Sequence, residues 1–181
     1  SYSVARSMLN FGLHDLRLVQ PQCDHLTDKA KARAAGAVEL LENAKVFENL
    51  ADACKDLNNV FATTARKRGS SGSSGGSRPW YSCHDAAKKA NEAAERGEKV
   101  GVVFGPETSG LTNEDVLVAD SLLYIPTLPA FRALNLAHAV TVVSYEMYAV
   151  ENSILVASTE QETNPSDSTS DEGKQILASR E

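Results

Sequence analysis

The sequence predicts an α/β protein: a mainly parallel sheet with helices on both faces. Three observations carry this. Short runs of β-forming residues alternate with helix-forming segments along the whole chain. One run, Val100–Phe104, is apolar throughout except for Gly101, as a strand covered on both faces would be. The helical segments carry apolar residues at three- and four-residue spacing, so each offers one face to a sheet.

In chain order, Val4, Ala5, Met8 and Leu9 place a helix over Ser3–Asn10, and Gly12 suits its C-cap. Leu16-Arg17-Leu18-Val19 predicts a short strand stopped by Pro21. Thr27–Ala35 predicts a helix that Thr27 can cap, Gly36 breaks it, and Val38–Leu41 adds a helical turn. Lys45–Phe47 is a weak strand. Leu50–Leu57 is a helix ending at the turn pair Asn58-Asn59, and Val60–Thr64 is a strand. Gly69–Ser77 holds only Gly and Ser, has nothing to bury, and predicts a flexible loop inserted into the domain. Cys83–Glu95 is an Ala-rich helix ended by Gly97. Val100–Phe104 and Ser121–Ile125 are strands on either side of a helical turn at Asn113–Val118. Asn135–Val156 is the longest helix, with Leu136, Ala139, Val140, Val143 and Met147 on one face. Residues 1–156 thus form one domain. Residues 157–181 form an acidic tail, with Ser/Thr/Glu/Asp-rich disorder expected from about Thr159.

A chain of 181 residues, 42% hydrophobic, is long enough for one domain with its own core. Its longest apolar stretch, Ala137–Val143, is interrupted by His138 and Thr141, well short of the ~20 residues a membrane span needs. Cys23, Cys54 and Cys83 are widely spaced, odd in number and unaccompanied by histidines at zinc-site spacing. We therefore expect reduced thiols, no metal and an intracellular, cytoplasmic protein, or an organellar one if a targeting segment precedes Ser1. The net charge is −6, but the tail alone contributes −4, which leaves the body near neutral and open to local basic patches. Neither a P-loop nor a GxGxxG dinucleotide fingerprint is present.

The informative loop is Phe104-Gly105-Pro106-Glu107-Thr108-Ser109-Gly110-Leu111. It follows a strand directly, where open α/β sheets bind ligands. Gly105 and Gly110 permit close backbone approach, and Glu107 is an acid on an anchored loop. An ordinary turn with a solvated Glu accounts for it equally well. The next strand ends in Ile125-Pro126-Thr127-Leu128-Pro129, and Phe131-Arg132-Ala133-Leu134-Asn135 leads into the long helix, with Asn135 suited to its N-cap. Arg6 is either a snorkelling surface residue or a phosphate contact. Arg66, Lys67 and Arg68 before the Gly/Ser stretch and Arg78 after it are either a solvated basic turn or a grip on RNA.

Three ordered segments resemble the motifs of one family: Ser3–Leu13, Phe104–Leu111, and Ile125-Pro126 with Leu134–Val140. That family is the SpoU/TrmH group of SPOUT RNA 2′-O-ribose methyltransferases, and the likeness is greatest to its TrmJ-like tRNA/rRNA branch. The resemblance spans roughly Ser3 to Val150. It implies a C-terminal trefoil knot, S-adenosylmethionine as cofactor, tRNA or rRNA as substrate and a homodimer. It also implies that Thr63, Thr64, Ala65, Gly105, Ile125, Arg132, Ala133 and Leu134 bind the cofactor, largely through backbone groups. By the same resemblance Arg6, Glu107 and Asn135 are the catalytic set, with Arg6 also meeting RNA.

This sequence departs from the family pattern in places. The first motif of that family opens on an Asn six residues ahead of the Arg, which would precede Ser1. Tyr2 stands where Gly is usual, and Ala133 where Ser is common. The strand that leads into the motif is not in the sequence, so a fragment lacking its first strand is expected. These departures keep a second reading open, an RNA-binding protein of the same fold without activity. A third is a small-molecule enzyme that holds phosphate with the Phe104–Leu111 loop.

Overall fold

The computed structural model describes residues 2–22, 36–65 and 78–162, with residues 154–162 as backbone only. The elements are α1 (Tyr2–Asn10), β1 (Arg17–Val19), α2 (Val38–Glu42), β2 (Lys45–Phe47), α3 (Leu50–Cys54), β3 (Asn59–Thr63), β4 (Trp80–Ser82), α4 (Cys83–Glu95), β5 (Val100–Val103), α5 (Asn113–Val118), β6 (Ser121–Tyr124) and α6 (Leu136–Glu162). Every strand pairing is parallel. Two sheets form: β1 beside β2, and a four-stranded sheet in the order β4-β6-β3-β5.

Side-chain alternation along β3 divides the core of the larger sheet. Val60 and Ala62 point into a cluster with Cys54 of α3 and Val116 and Ala119 at α5. Phe61 points the other way, with Leu123 of β6, Cys83, Ala86 and Ala90 of α4, and Val143 of α6. Helices therefore cover both faces, as the alternation of elements predicts. A third cluster, Ala5, Ala37, Leu40 and Leu41, joins α1 to α2.

Each helix end has a local cause. Residues 11–13 close α1 with Gly12 at φ 72° and Leu13 N–H bonding back to Met8 O at 3.0 Å, a Schellman-type stop. Asn49 caps α3 and Ser82 caps α4, each accepting the amide of an Asp three residues on. Thr112 and Asp115 form a reciprocal capping box on α5. At the other end of α5, Arg78 donates to Ala119 O at 2.7 Å and Leu117 O at 3.0 Å, satisfying carbonyls that the helix leaves open.

The two sheets are tied by charge. Arg17 of β1 bonds Ala53 O, Asp15 and Asp56 at 2.6, 2.7 and 2.5 Å, and Lys99 reaches Asp56 at 3.2 Å. Asp56 follows α3 and Lys99 precedes β5, so this network joins the small sheet to the edge of the large one.

Several expectations are corrected. The expected α/β class with parallel strands holds, and among the described residues the strands fall into two sheets. The Val100–Phe104 strand ends at Val103 and lies at the edge of the described sheet, each residue half-buried, with Val103 packed on one face and Val100 and Val102 on the other. An apolar run marks cover on both faces but does not tell an edge strand from a central one. Trp80–Ser82 is a strand that three residues between Pro79 and a helix could not announce; pairing with β6 makes it one. The Leu50–Leu57 helix stops at Cys54, and the long helix runs to Glu162, past the expected end at Val156 and into the expected tail. The predicted Thr27–Ala35 helix, the Gly69–Ser77 loop and the tail beyond residue 162 lie outside the described residues. No described helix is long and apolar enough to cross a membrane.

Candidate functional site

β3, β5 and β6 are adjacent and parallel, so their carboxyl ends open on one edge of the sheet. The segments that follow them hold Thr63 to Ala65, Gly105 and Ile125. Register pairs Ala62 with Val103 and Thr63 with Leu123, which brings these three chain positions side by side. Thr63 Oγ1 donates to Val103 O at 2.9 Å, and Thr64 N–H donates to Leu123 O at 2.9 Å, binding the ends of the strands together. Such an edge is where an open α/β sheet receives a ligand.

Gly105 is required by the loop itself. A Cβ there would stand 2.3 Å from Leu111 N and 2.4 Å from Gly110 C, so the loop folds back on its own backbone. The close approach expected of Gly105 is therefore made by residues 110–111. Gly110 N–H bonds Pro106 O at 2.8 Å and closes the turn.

Glu107 reaches out of this loop to the start of α6, where its carboxylate accepts Leu136 N–H at 3.0 Å. Asn135 Oδ1 accepts Ala137 N–H at 2.9 Å, the N-cap predicted from its position. Two side chains thus satisfy the first amides of α6, and a carboxylate at that end also complements the helix dipole. Arg132 Nε donates to Pro129 O at 3.2 Å, and Phe131 N–H bonds Leu128 O at 2.9 Å, folding the approach to α6 into a turn. Leu128, Phe131 and Leu134 are exposed on it, at 71%, 78% and 38%. Ala133 is exposed beside them.

Arg6 is exposed on α1. The neighbouring Ser7 is buried, its Oγ 2.6 Å from Thr141 Oγ1, and Thr141 Oγ1 lies 2.7 Å from Ala137 O in the first turn of α6. The turn of α1 that carries Arg6 therefore packs on the same end of α6 that Glu107 and Asn135 cap. Three segments far apart in sequence meet at one helix N-terminus. Ser7 and Thr141 went unnoticed in the sequence because a hydroxyl on an apolar helix face carries no signal of its partner. Of the basic residues, Arg66, Lys67 and Arg68 lie outside the described residues, and Arg78 is engaged with the α5 carbonyls.

The expected cofactor residues fit S-adenosylmethionine in kind. They supply backbone amides and carbonyls, two hydroxyls, apolar Ile125 and Leu134, and one guanidinium, a set suited to a nucleoside with a polar tail. Cys54 and Cys83 are buried, burial pushes both thiols up, and they stand with the core rather than the site. A groove of about 370 Å³ between α4 and α6, lined by His84, Lys88, Glu92 and Ser153 among others, shares no residue with this edge.

Known proteins resemble this chain in sequence and in fold. The model of the SpoU rRNA Methylase family matches residues 3–145. The chain is 37% identical over 147 residues to "tRNA (cytidine-2'-O-)-methyltransferase TrmJ" of Methanocaldococcus jannaschii, covering 81% of this chain and 60% of that protein. It is 39% identical over 145 residues to "tRNA (cytidine/uridine/adenosine-2'-O-)-methyltransferase TrmJ" of Pseudomonas aeruginosa, covering 79% of this chain and 53% of that protein. The chain thus spans little more than half the length of these curated relatives. The crystal structure of TrmJ from Z. mobilis ZM4 superposes with a TM-score of 0.72 at 41% identity, covering 81% of this chain and 62% of that one. With motifs in order, a matching fold and a family model that spans most of its length, the chain belongs to the SpoU rRNA Methylase family.

Proposed function

We propose that this chain is the methyltransferase unit of an enzyme that transfers a methyl group from S-adenosylmethionine to a ribose 2′-hydroxyl of tRNA or rRNA. The observation that carries the proposal is that the helical turn carrying Arg6 packs, through Ser7, on the end of α6 that Glu107 and Asn135 cap, beside three loops that share one sheet edge. TrmJ relatives named for tRNA 2′-O-methylation support the substrate class.

Thr63 to Ala65, Gly105, Ile125 and Arg132 to Leu134 would hold the cofactor, mostly through backbone groups. Bound there, S-adenosylmethionine supplies a methyl group on a sulfonium. The protein's task would be alignment: the loops at the sheet edge and the capped start of α6 would hold the ribose oxygen beside the cofactor, and fixed placement supplies much of the rate. Arg6 remains protonated and is no base. It would grip an RNA phosphate and stabilise the negative charge that develops on the ribose oxygen. Glu107 and Asn135 hold the start of α6 and the loops on either side of the site. We place the reaction inside the cell, where tRNA and rRNA are.

The working form is a homodimer. Tyr145 and Tyr148 of α6 are 54% and 46% exposed, and both rings pack against Phe11 at 6.0 Å. An aromatic surface of this kind on two packed helices suits burial against a second copy.

Replacing Arg6 by Ala tests the reading. Turnover on RNA should fall about 100-fold or more, the effect of removing a group that stabilises developing charge. Calorimetry should find S-adenosylmethionine affinity unchanged. Wild-type turnover in this variant would end the assignment. Mapping of 2′-O-methyl positions in cells with and without the protein identifies the RNA.

A further inference from the structure

Arg6 sits on a helix held from two sides. Successive residues of an α-helix turn by about 100°. Ala5 and Ser7 therefore lie on nearly opposite faces of α1, and Arg6 projects between them. Ala5, fully buried, packs into the cluster with Ala37, Leu40 and Leu41. Ser7, 9% exposed, faces α6. Tyr2, Met8 and Leu9 of α1 pack on the same cluster as Ala5, and apolar contacts of this kind are non-directional. The contact between Ser7 Oγ and Thr141 Oγ1, at 2.6 Å, is directional and sets one angle of roll.

The two hydroxyls also touch the carbonyls of their own helices. Ser7 Oγ lies 2.9 Å from Ser3 O, and Thr141 Oγ1 lies 2.7 Å from Ala137 O. Three short contacts share two protons. Either Ser7 donates to Thr141, which donates to Ala137 O, or Thr141 donates to Ser7, which donates to Ser3 O. In both arrangements the bond between helices is kept, and one end carbonyl keeps only its helical partner. Neither Ser7 nor Thr141 would be left as an unsatisfied donor by loss of the other, since each can turn to its own carbonyl.

We propose that Ser7 and Thr141 are positioning residues, a hydroxyl bridge that fixes the roll of α1 on α6 and so aims Arg6 at the substrate phosphate. The proposal rests on the reading of Arg6 given above. The bridge joins the turn carrying Arg6 to Ala137, whose own amide is held by Asn135. Arg6 thereby shares one frame with the capped start of α6 and the loops around it.

The experiment compares Thr141→Val, Thr141→Ser and Ser7→Ala with the wild-type chain. Val has the shape of Thr without its proton, and Ser7 then turns to Ser3 O, so the fold is retained. Amide hydrogen exchange on the ligand-free chain should show residues 5–9 of α1 exchanging about tenfold faster in Thr141→Val and Ser7→Ala, the weight of one hydrogen bond. Thr141→Ser should restore wild-type exchange. In methylation assays kcat should fall about tenfold in Thr141→Val and recover in Thr141→Ser, with S-adenosylmethionine affinity unchanged. Combining Ser7→Ala with Thr141→Val should add nothing further, because both remove the same bond.

Unchanged exchange in Thr141→Val, or a faster exchange that Thr141→Ser does not reverse, overturns the bridge whatever the activity. Changed exchange with unchanged kcat, while Arg6→Ala is inactive, overturns the aiming of Arg6 alone. Wild-type turnover in Arg6→Ala overturns the reading of Arg6 and, with it, the bridge's part in the reaction.

Discussion

Gly105 lies where the loop after β5 folds back on its own backbone. Its type and place after a strand mark it as a site of close backbone approach, and the structure identifies what approaches. The atoms within 3 Å of a Cβ there belong to Gly110 and Leu111. Gly105→Val must therefore open the loop rather than merely crowd a ligand. We expect a stability loss of about 1–3 kcal/mol, the usual cost of forcing a side chain into filled space. S-adenosylmethionine affinity should fall with it, because the opened loop also carries Glu107 away from Leu136. Thermal melts and calorimetry read the two effects; a variant with wild-type melting and affinity would contradict the geometry. Asn135 was legible as an N-cap, since that choice depends only on neighbouring residues. The Glu107 bond to Leu136 N–H was not, because it joins residues 29 apart, a pairing that local pattern does not encode.

Among the elements, the tie between the sheets makes stability depend on pH. Asp15 and Asp56 are held below the usual carboxylate range, each chiefly by its bond to Arg17, with Lys45 and Lys99 adding to the effect. A carboxylate with a depressed folded pKa favours the folded state above its unfolded value of about 3.9. That contribution disappears as pH falls through the folded pKa. The melting-temperature difference between wild type and Arg17→Gln should be full at pH 7 and shrink progressively below about pH 4. A difference independent of pH would show that the network contributes nothing through its charges.

Arg78, through its bonds to Ala119 O and Leu117 O, caps α5, so Arg78→Gln should cost about 1–2 kcal/mol. It should leave the salt dependence of RNA binding alone. Replacing Arg66, Lys67 and Arg68 by Gln tests the other basic positions: for every phosphate these side chains neutralise, the slope should flatten by about 0.7–0.9. An unchanged slope removes them from the RNA interface.

For the whole molecule, the exposed rings of Tyr145 and Tyr148 and the adjoining Phe11 are the surface on which dimerisation is expected to depend. Tyr145→Asp places a charge in that surface, and a buried unpaired charge is costly. Sedimentation at micromolar concentration should show a dimer for the wild type and a shift toward monomer for the variant. A wild type that sediments only as monomer would contradict the homodimer.

The sequence by itself determined the fold class and most of the elements, which follow from local quantities: apolar periodicity, capping residues and glycine positions. The three segments of the proposed site were marked by their resemblance to family motifs. Only the tertiary structure decided where the strands lie and which side chains meet. Val100–Val103 became an edge strand because position in a sheet depends on neighbours that no local pattern names. Trp80–Ser82 became a strand because β6 offered it a partner. Ser7 and Thr141, separated by 134 residues, met because α1 and α6 pack together. A hydroxyl's partner is set by three-dimensional approach within about 3 Å, a distance that sequence separation does not constrain.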